Sequence, residues 1–405
     1  MAVPAPDGPG QALHDAEAGT GVETWAASRL TYLDNLKVLL IAGIIAIHGL
    51  LGYASTVEVW TYTELREVSL APVTEAVLFV VAAPFGLFLI ALLFLVAGLL
   101  TPPSLERKGT RRFVLDRLLR LGVPFVVYVL VVQPVLNYAL QRRVGVALGS
   151  FWEAYGGPER RLDTGPLWFV GVLLVFSLGY AGWREVRSRR WSPHGPHSAH
   201  RPITVGTLTL AALVVAPASF AVRLVYPYGS ESGVSDLNFW EWPACIAVFA
   251  LGVAASRQGW TAEVPARLAR QSRAVTLAGV VAMAALVAVV GSSNSFDAAL
   301  GGPHAAAVAF AAIDAVLTVF GSVWLLSVAQ HRLDVRFRHG PALSRSAYGA
   351  FILQAPFLLA LAVALRPMGL PAEVKAILVG FGGIACSFGV AWLIVTRVPG
   401  LRRVL

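Results

Sequence analysis

The sequence predicts an all-α integral membrane protein of about ten transmembrane helices with both termini cytoplasmic. Only 14% of the 405 residues are charged and 57% are hydrophobic, where soluble domains carry roughly a quarter charged residues. The apolar residues fall in long runs, and about 20 such residues cross a hydrocarbon core. Lysines and arginines collect in alternate loops, which orients the chain by the positive-inside rule. Together these features exclude a wholly soluble enzyme and account for the net charge of +9 without a nucleic-acid partner.

Residues 1–28 are rich in Ala, Gly, Pro and acidic groups and lack an apolar signal-peptide core, so a disordered cytoplasmic tail is expected there. The spans then follow in order. Span 1 (36–55) follows Tyr32–Lys37 and contains His48; span 2 (77–100) ends in Phe94–Gly98; span 3 (118–140) opens on Arg117–Leu121 and Pro124. Span 4 (166–183) opens on Gly165–Phe169, and spans 5 (203–222), 6 (239–256) and 7 (274–291) are apolar runs bounded by charges, Pro or Gly. Span 8 (305–327) holds Asp314, span 9 (346–365) opens with Ser346–Pro356, and span 10 (374–396) precedes a short basic tail at 399–405. The spans must be helical because lipid satisfies no backbone polar group. They make one domain, 29–398, whose loops are too short to bury a core of their own.

An even number of spans puts both termini on one side. That side receives 23 basic residues, among them Arg107, Lys108, Arg111 and Arg112 after span 2 and Arg184, Arg187, Arg189 and Arg190 after span 4. The opposite side receives eight: Arg66, Arg142, Arg143, Arg160, Arg161, Arg223, Arg366 and Lys375. The side of the termini is therefore the cytoplasm, and the chain a multi-pass protein of the cytoplasmic membrane. Cys245 and Cys386 both lie in apolar segments, so neither a disulfide nor a metal site is inferred. His194, His197 and His200 fall in a Pro-rich, Arg-flanked loop and read as linker rather than a metal cluster. No internal repeat of the transporter kind is visible.

The polar residues inside spans carry the chemistry. His48 lies eleven residues after Lys37, and at about 1.5 Å per residue this places it about 16 Å deeper in the membrane. A histidine there is either one hydrogen-bonded helix contact or a functional group whose ordinary pKa suits general-base work. Arg117 and Arg120 lie three apart, on one helix face at a membrane mouth. They fit either phosphate binding or the attraction of basic clusters to anionic lipid heads; for Arg107–Arg112 the two readings are equally open. Asp314 needs a partner at its depth, either His48 or a buried arginine. Trp168 by itself reads as an interfacial anchor. On the side opposite the termini, 151–163 and 226–238 hold Trp152, Tyr155, Tyr226, Tyr228 and Asp236, a set suited to a sugar and equally expected at an interface.

These residues, in their order, resemble the acyltransferase 3 family of integral membrane acyltransferases, especially its glucan-modifying succinyltransferase-like branch. Leu33-Asp34-Asn35-Leu36-Lys37 followed by His48 is similar to the family's Leu-Asp-X-Leu-Arg motif and its histidine, with Lys at the Arg position. Phe94–Gly98 looks like its Phe-rich stretch ending in Ser-Gly, with Ala97 for Ser; Arg117-Leu118-Leu119-Arg120 looks like its Arg-x-x-Arg motif, and Leu167-Trp168-Phe169 like its Leu-Trp-Phe. Tyr348 to Pro356 resembles its Tyr-x-x-Tyr-x-x-His-x-Pro helix, with Phe351 and Gln354 at the second Tyr and the His. The resemblance spans about 30 to 397.

The resemblance implies an O-acyltransferase moving an acyl group, with acetyl expected, from cytosolic acyl-CoA to a hydroxyl of an envelope polysaccharide or related acceptor. His48, Lys37 and Asp34 are then the expected catalytic group, Arg112, Arg117 and Arg120 the acyl-CoA site, and Trp168, Tyr348 and Asp314 the substrate contacts. Partners are acyl-CoA, the carbohydrate acceptor and the bilayer, with no metal and no nucleic acid. Two other readings stand beside it: a proton-coupled transporter using His48 and Asp314, and a non-catalytic partner that has lost its chemistry at the altered positions.

Overall fold

A computed structural model of the chain describes residues 11–55, 66–143, 145, 149–156, 163–190, 202–230, 237–293 and 295–398, with side chains except within 11–30, 79–87 and at 154 and 190. Every regular element among them is helical, and ten helices are long and apolar enough to cross a membrane. They are α1 (Gln11–Leu51), α2 (Pro72–Lys108), α3 (Thr110–Arg143), α4 (Trp168–Arg190) and α5 (Val205–Arg223). There follow α6 (Phe239–Ser256), α7 (Ala266–Ser292), α8 (Ala305–Arg332), α9 (Gly340–Leu365) and α10 (Ala372–Arg397). Each contains or overlaps one expected span. The ends move because charged and capping residues continue a helix past its apolar run: α1 already includes Asp34 and Lys37, and α2 continues to Lys108.

The helix ends have local causes. Gly109, at φ 72°, makes the sharp turn between α2 and α3, a conformation that costs glycine little. The Thr204 side chain accepts from the Thr207 backbone in a capping box that starts α5. Within α3 the turn widens to π geometry at Leu118–Gly122 and Tyr128–Val132, and within α8 at Leu317–Gly321. Such bulges rotate the helix face that follows.

Lipid offers no hydrophobic drive between helices, so close packing holds the bundle together. A side chain on Gly98 of α2 would run into the Phe249 carbonyl of α6, and one on Gly252 of α6 into the Leu95 carbonyl of α2. Gly49 of α1 meets Gly380 of α10 in the same way, its built Cβ falling 2.7 Å from the Gly380 Cα. The two large apolar clusters meet on α1. Tyr32, Leu33, Leu36 and Leu40 pack toward α2, α4, α6 and α8, while Ile41, Ile44 and Ile45 pack toward α3, α4, α9 and α10. The helix carrying His48 is thus central to the fold.

Candidate functional site

His48 is half-buried near the end of α1. Its Nδ1 lies 2.9 Å from Oε1 of Gln354 on α9. Gln354 is fully buried, and its Nε2 donates to the Phe351 carbonyl at 3.0 Å. That second bond fixes the amide so that its oxygen faces the imidazole. Nδ1 then carries the proton and Nε2 the lone pair, the tautomer a base acting through Nε2 requires. The approach of Gly49 to Gly380 sets α1 against α10 beside this pair. Beyond it the chain is tied down: Leu70 N donates to the Tyr53 carbonyl, Ser55 N and Oγ donate to Glu75, and buried Lys375 donates to Glu67 at 2.6 Å.

The other residues of the Leu33–Lys37 motif act at the opposite end of α1. Leu33 and Leu36 are core residues. Asp34 accepts from Ser344 Oγ of α9 at 2.7 Å and lies 3.5 Å from Lys37 Nζ, both side chains being exposed. Asn35 donates to the Leu333 and Val335 carbonyls beyond α8. The structure therefore brings Asp34 and Lys37 together and keeps them fourteen and eleven residues, roughly 21 and 16 Å along the helix, from His48. The motif ties α1 to α9 and to the α8–α9 connection, a role visible only once the partners' positions are known.

The arginines of α3 lie at that same end, and they differ. Arg120 is exposed and pairs with Asp116 at 3.0 Å, which also holds Lys108 at 2.8 Å. Arg117 is half-buried, its guanidinium 5.0 Å from the Phe113 ring, and its Nε is a buried donor without a hydrogen-bond partner. Arg112 is exposed in the first turns of α3. Tyr348 of α9 donates to the Arg120 carbonyl at 2.7 Å and so pins α9 against the π turn.

Trp168 is buried within the larger apolar cluster, away from the interfacial anchoring its type suggests. Its neighbour Phe169 packs edge-on to Phe351, one turn from Gln354. Asp314 finds the arginine that its depth demands: Arg223, at the end of α5, donates to it, and Thr318 donates to its other oxygen. Arg223 also sits over the rings of Tyr228 and Phe310 at 5.2 and 5.0 Å. Of the two partners left open for Asp314 by the sequence, the structure supplies the buried arginine rather than His48. No group of three metal-capable side chains occurs among the described residues; His194, His197, His200 and Asp236 lie outside them. Sequence reasoning missed Gln354 as a partner of His48 and Arg223 as the partner of Asp314. Gln354 was marked by its place in an apolar run and in the Tyr348–Pro356 motif, whereas Arg223, just past the end of span 5, carried no such signal.

No curated protein and no solved structure matches the chain. The family model for the acyltransferase domain numbered 3 matches residues 30–396, from the turn before Leu33 to the end of α10. The chain belongs to the acyltransferase 3 family and is a multi-pass membrane acyltransferase.

Proposed function

We propose that the protein transfers an acyl group, acetyl first among the candidates, from cytosolic acyl-CoA to a hydroxyl of an envelope glycan or related acceptor, with His48 as general base. The observation that carries this reading is the oriented His48–Gln354 pair, which directs the lone pair of Nε2 away from Gln354. His48 Nε2 takes the acceptor hydroxyl proton, the oxygen attacks the thioester carbonyl, and the CoA thiolate leaves and recovers the proton from the imidazolium. The ester C–O bond forms as the C–S bond breaks, and no redox partner is needed.

The donor site we assign is the basic mouth at the Lys37 end, which the distribution of lysine and arginine places in the cytoplasm. Arg117, with its unfilled Nε, Arg120 and Arg112 are the groups for the CoA phosphates. Lys37 adds positive charge along the path, and Asp34 positions it. Tyr348 and Trp168 act through position, the first by fixing the π turn and the second beside Phe169. The acceptor reaches His48 from the opposite face. The transporter reading needs Asp314 to couple to His48, but its two oxygens are taken by Arg223 and Thr318.

The test uses purified protein and labelled acetyl-CoA. Wild type is expected to bind it and consume the thioester, and His48→Ala to bind without turnover. Absence of acetyl-CoA binding by folded wild type, together with proton-coupled flux in vesicles, would move the assignment to a transporter.

A further inference from the structure

Two buried oxygens at the His48-bearing end of the bundle remain without hydrogen-bond partners and face one spot. They are the Tyr128 hydroxyl and the Gln133 Oε1, on residues exposed by only 1% and 2%. Both face the bare α-carbon of Gly165, where an added Cβ would fall 3.1 Å from Gln133 Oε1 and 3.2 Å from Tyr128 Oη. Gly165 has φ 47°, so the position favours glycine on conformational grounds as well. The amide of Gln133 is fixed in this orientation because its Nε2 donates to Asp163 and, at 3.2 Å, to Asn137. Asp163 in turn accepts from the Gly165 backbone at 2.8 Å.

A phenol donor and an amide acceptor held side by side match a group that both accepts and donates, as a hydroxyl does. An aromatic group is tied to the same helix, α3. The short helix Phe151–Gly156 is joined to α3 by Tyr155 donating to the Leu130 carbonyl at 3.0 Å, one turn from Gln133. On it Phe151 stacks on Tyr155, and Trp152 stands 74% exposed. Aromatic faces beside oriented polar groups suit a sugar, which pairs apolar C–H faces with hydroxyls. Tyr128 also shares its apolar cluster with Ile44 and Ile45 of α1 and with Phe351 of α9, which flank His48 and Gln354.

We infer that Tyr128 and Gln133, beside Gly165, form a hydroxyl-binding subsite for a sugar acceptor, with Trp152 as the outer stacking surface. This inference deepens the acyl-transfer reading and rests on it for the identity of the bound group as acceptor. An ordered water satisfying both oxygens is the competing occupant.

The experiment measures glucose binding by calorimetry in nanodiscs free of glycoside detergent, with acetyl-CoA binding and thioester loss followed in the same preparations. Wild type is expected to bind glucose saturably and glycerol more weakly, because glycerol has no ring to stack. Tyr128→Phe, which removes one hydroxyl and keeps the ring, should weaken glucose binding about five-fold, the usual effect of one neutral hydrogen bond. Trp152→Ala, at an exposed position, should weaken it further without moving acetyl-CoA binding. No saturable glucose binding, or binding untouched by both variants, overturns the subsite and leaves water as the occupant. Glucose binding without any thioester turnover instead removes the acyl-transfer reading and keeps the sugar site.

Discussion

His48 and Gln354, 306 residues apart in sequence, meet at 2.9 Å with the glutamine amide turned so that its oxygen faces the imidazole. Gln354→Met keeps the volume and removes the acceptor, so the ring loses what sets its tautomer. Turnover of labelled acetyl-CoA should fall at least ten-fold, roughly the lower range of a misoriented base, with donor affinity unchanged. Gln354→Glu restores an acceptor at the same place and should recover part of the rate. A rate unaffected by Gln354→Met would remove the positioning role, and nitrogen NMR of the labelled histidine would report the tautomer directly.

Arg117, rather than the exposed Arg120, should dominate donor binding. Its half-buried guanidinium is held over Phe113 with Nε unfilled, whereas Arg120 is already paired with Asp116. Arg117→Ala should raise the apparent KM for acetyl-CoA about ten- to hundred-fold, the range for a charge-assisted hydrogen bond. Arg117→Lys should recover little, because the planar fork is lost. Equal effects from Arg117→Ala and Arg120→Ala would show that charge alone matters.

Glycine contacts near His48 should behave unequally. Gly49→Ala drives a methyl into the Gly380 backbone, which cannot swing aside, whereas Gly43→Ala meets only the tip of Leu89 at 3.8 Å. The first should lower thermal stability by about 1–3 kcal/mol and reduce turnover by shifting α1. The second should be near neutral. Thermal denaturation and turnover of the two variants side by side decide this.

The Arg223–Asp314 pair should show the asymmetry of buried ion pairs. Arg223→Met leaves Asp314 without its cation and should cost about 3–5 kcal/mol, while Arg223→Met with Asp314→Leu should recover most of that loss. Denaturation of single and double variants measures the coupling. A double variant no more stable than the single one would place Asp314 outside a structural role.

The orientation is open to direct labelling. With Cys245 and Cys386 replaced, a single cysteine at Glu153 should react with a membrane-impermeant thiol reagent on intact cells. One at Arg338, in the connection before α9, should react only after permeabilisation. The reverse pattern would invert the donor and acceptor faces.

The sequence by itself determined the ten helices, because hydropathy over about 20 residues is a local property and lipid permits no other backbone structure for those runs. It also singled out His48, Asp314 and the arginines of α3, since a charged or polar group in an apolar run is costly wherever the run ends up. It left undecided which of them meet. His48 chose Gln354 over Asp314, Asp314 chose Arg223, and Asp34 chose Ser344 across 310 residues. Those choices depend on the rotation of each helix about its axis. In a bilayer that rotation follows from close small-residue contacts such as Gly49 on Gly380 and Gly98 on Phe249, and from the π turns of α3 and α8. A helix that is apolar on all sides carries no record of which side faces a neighbour, so only the packed bundle settles it.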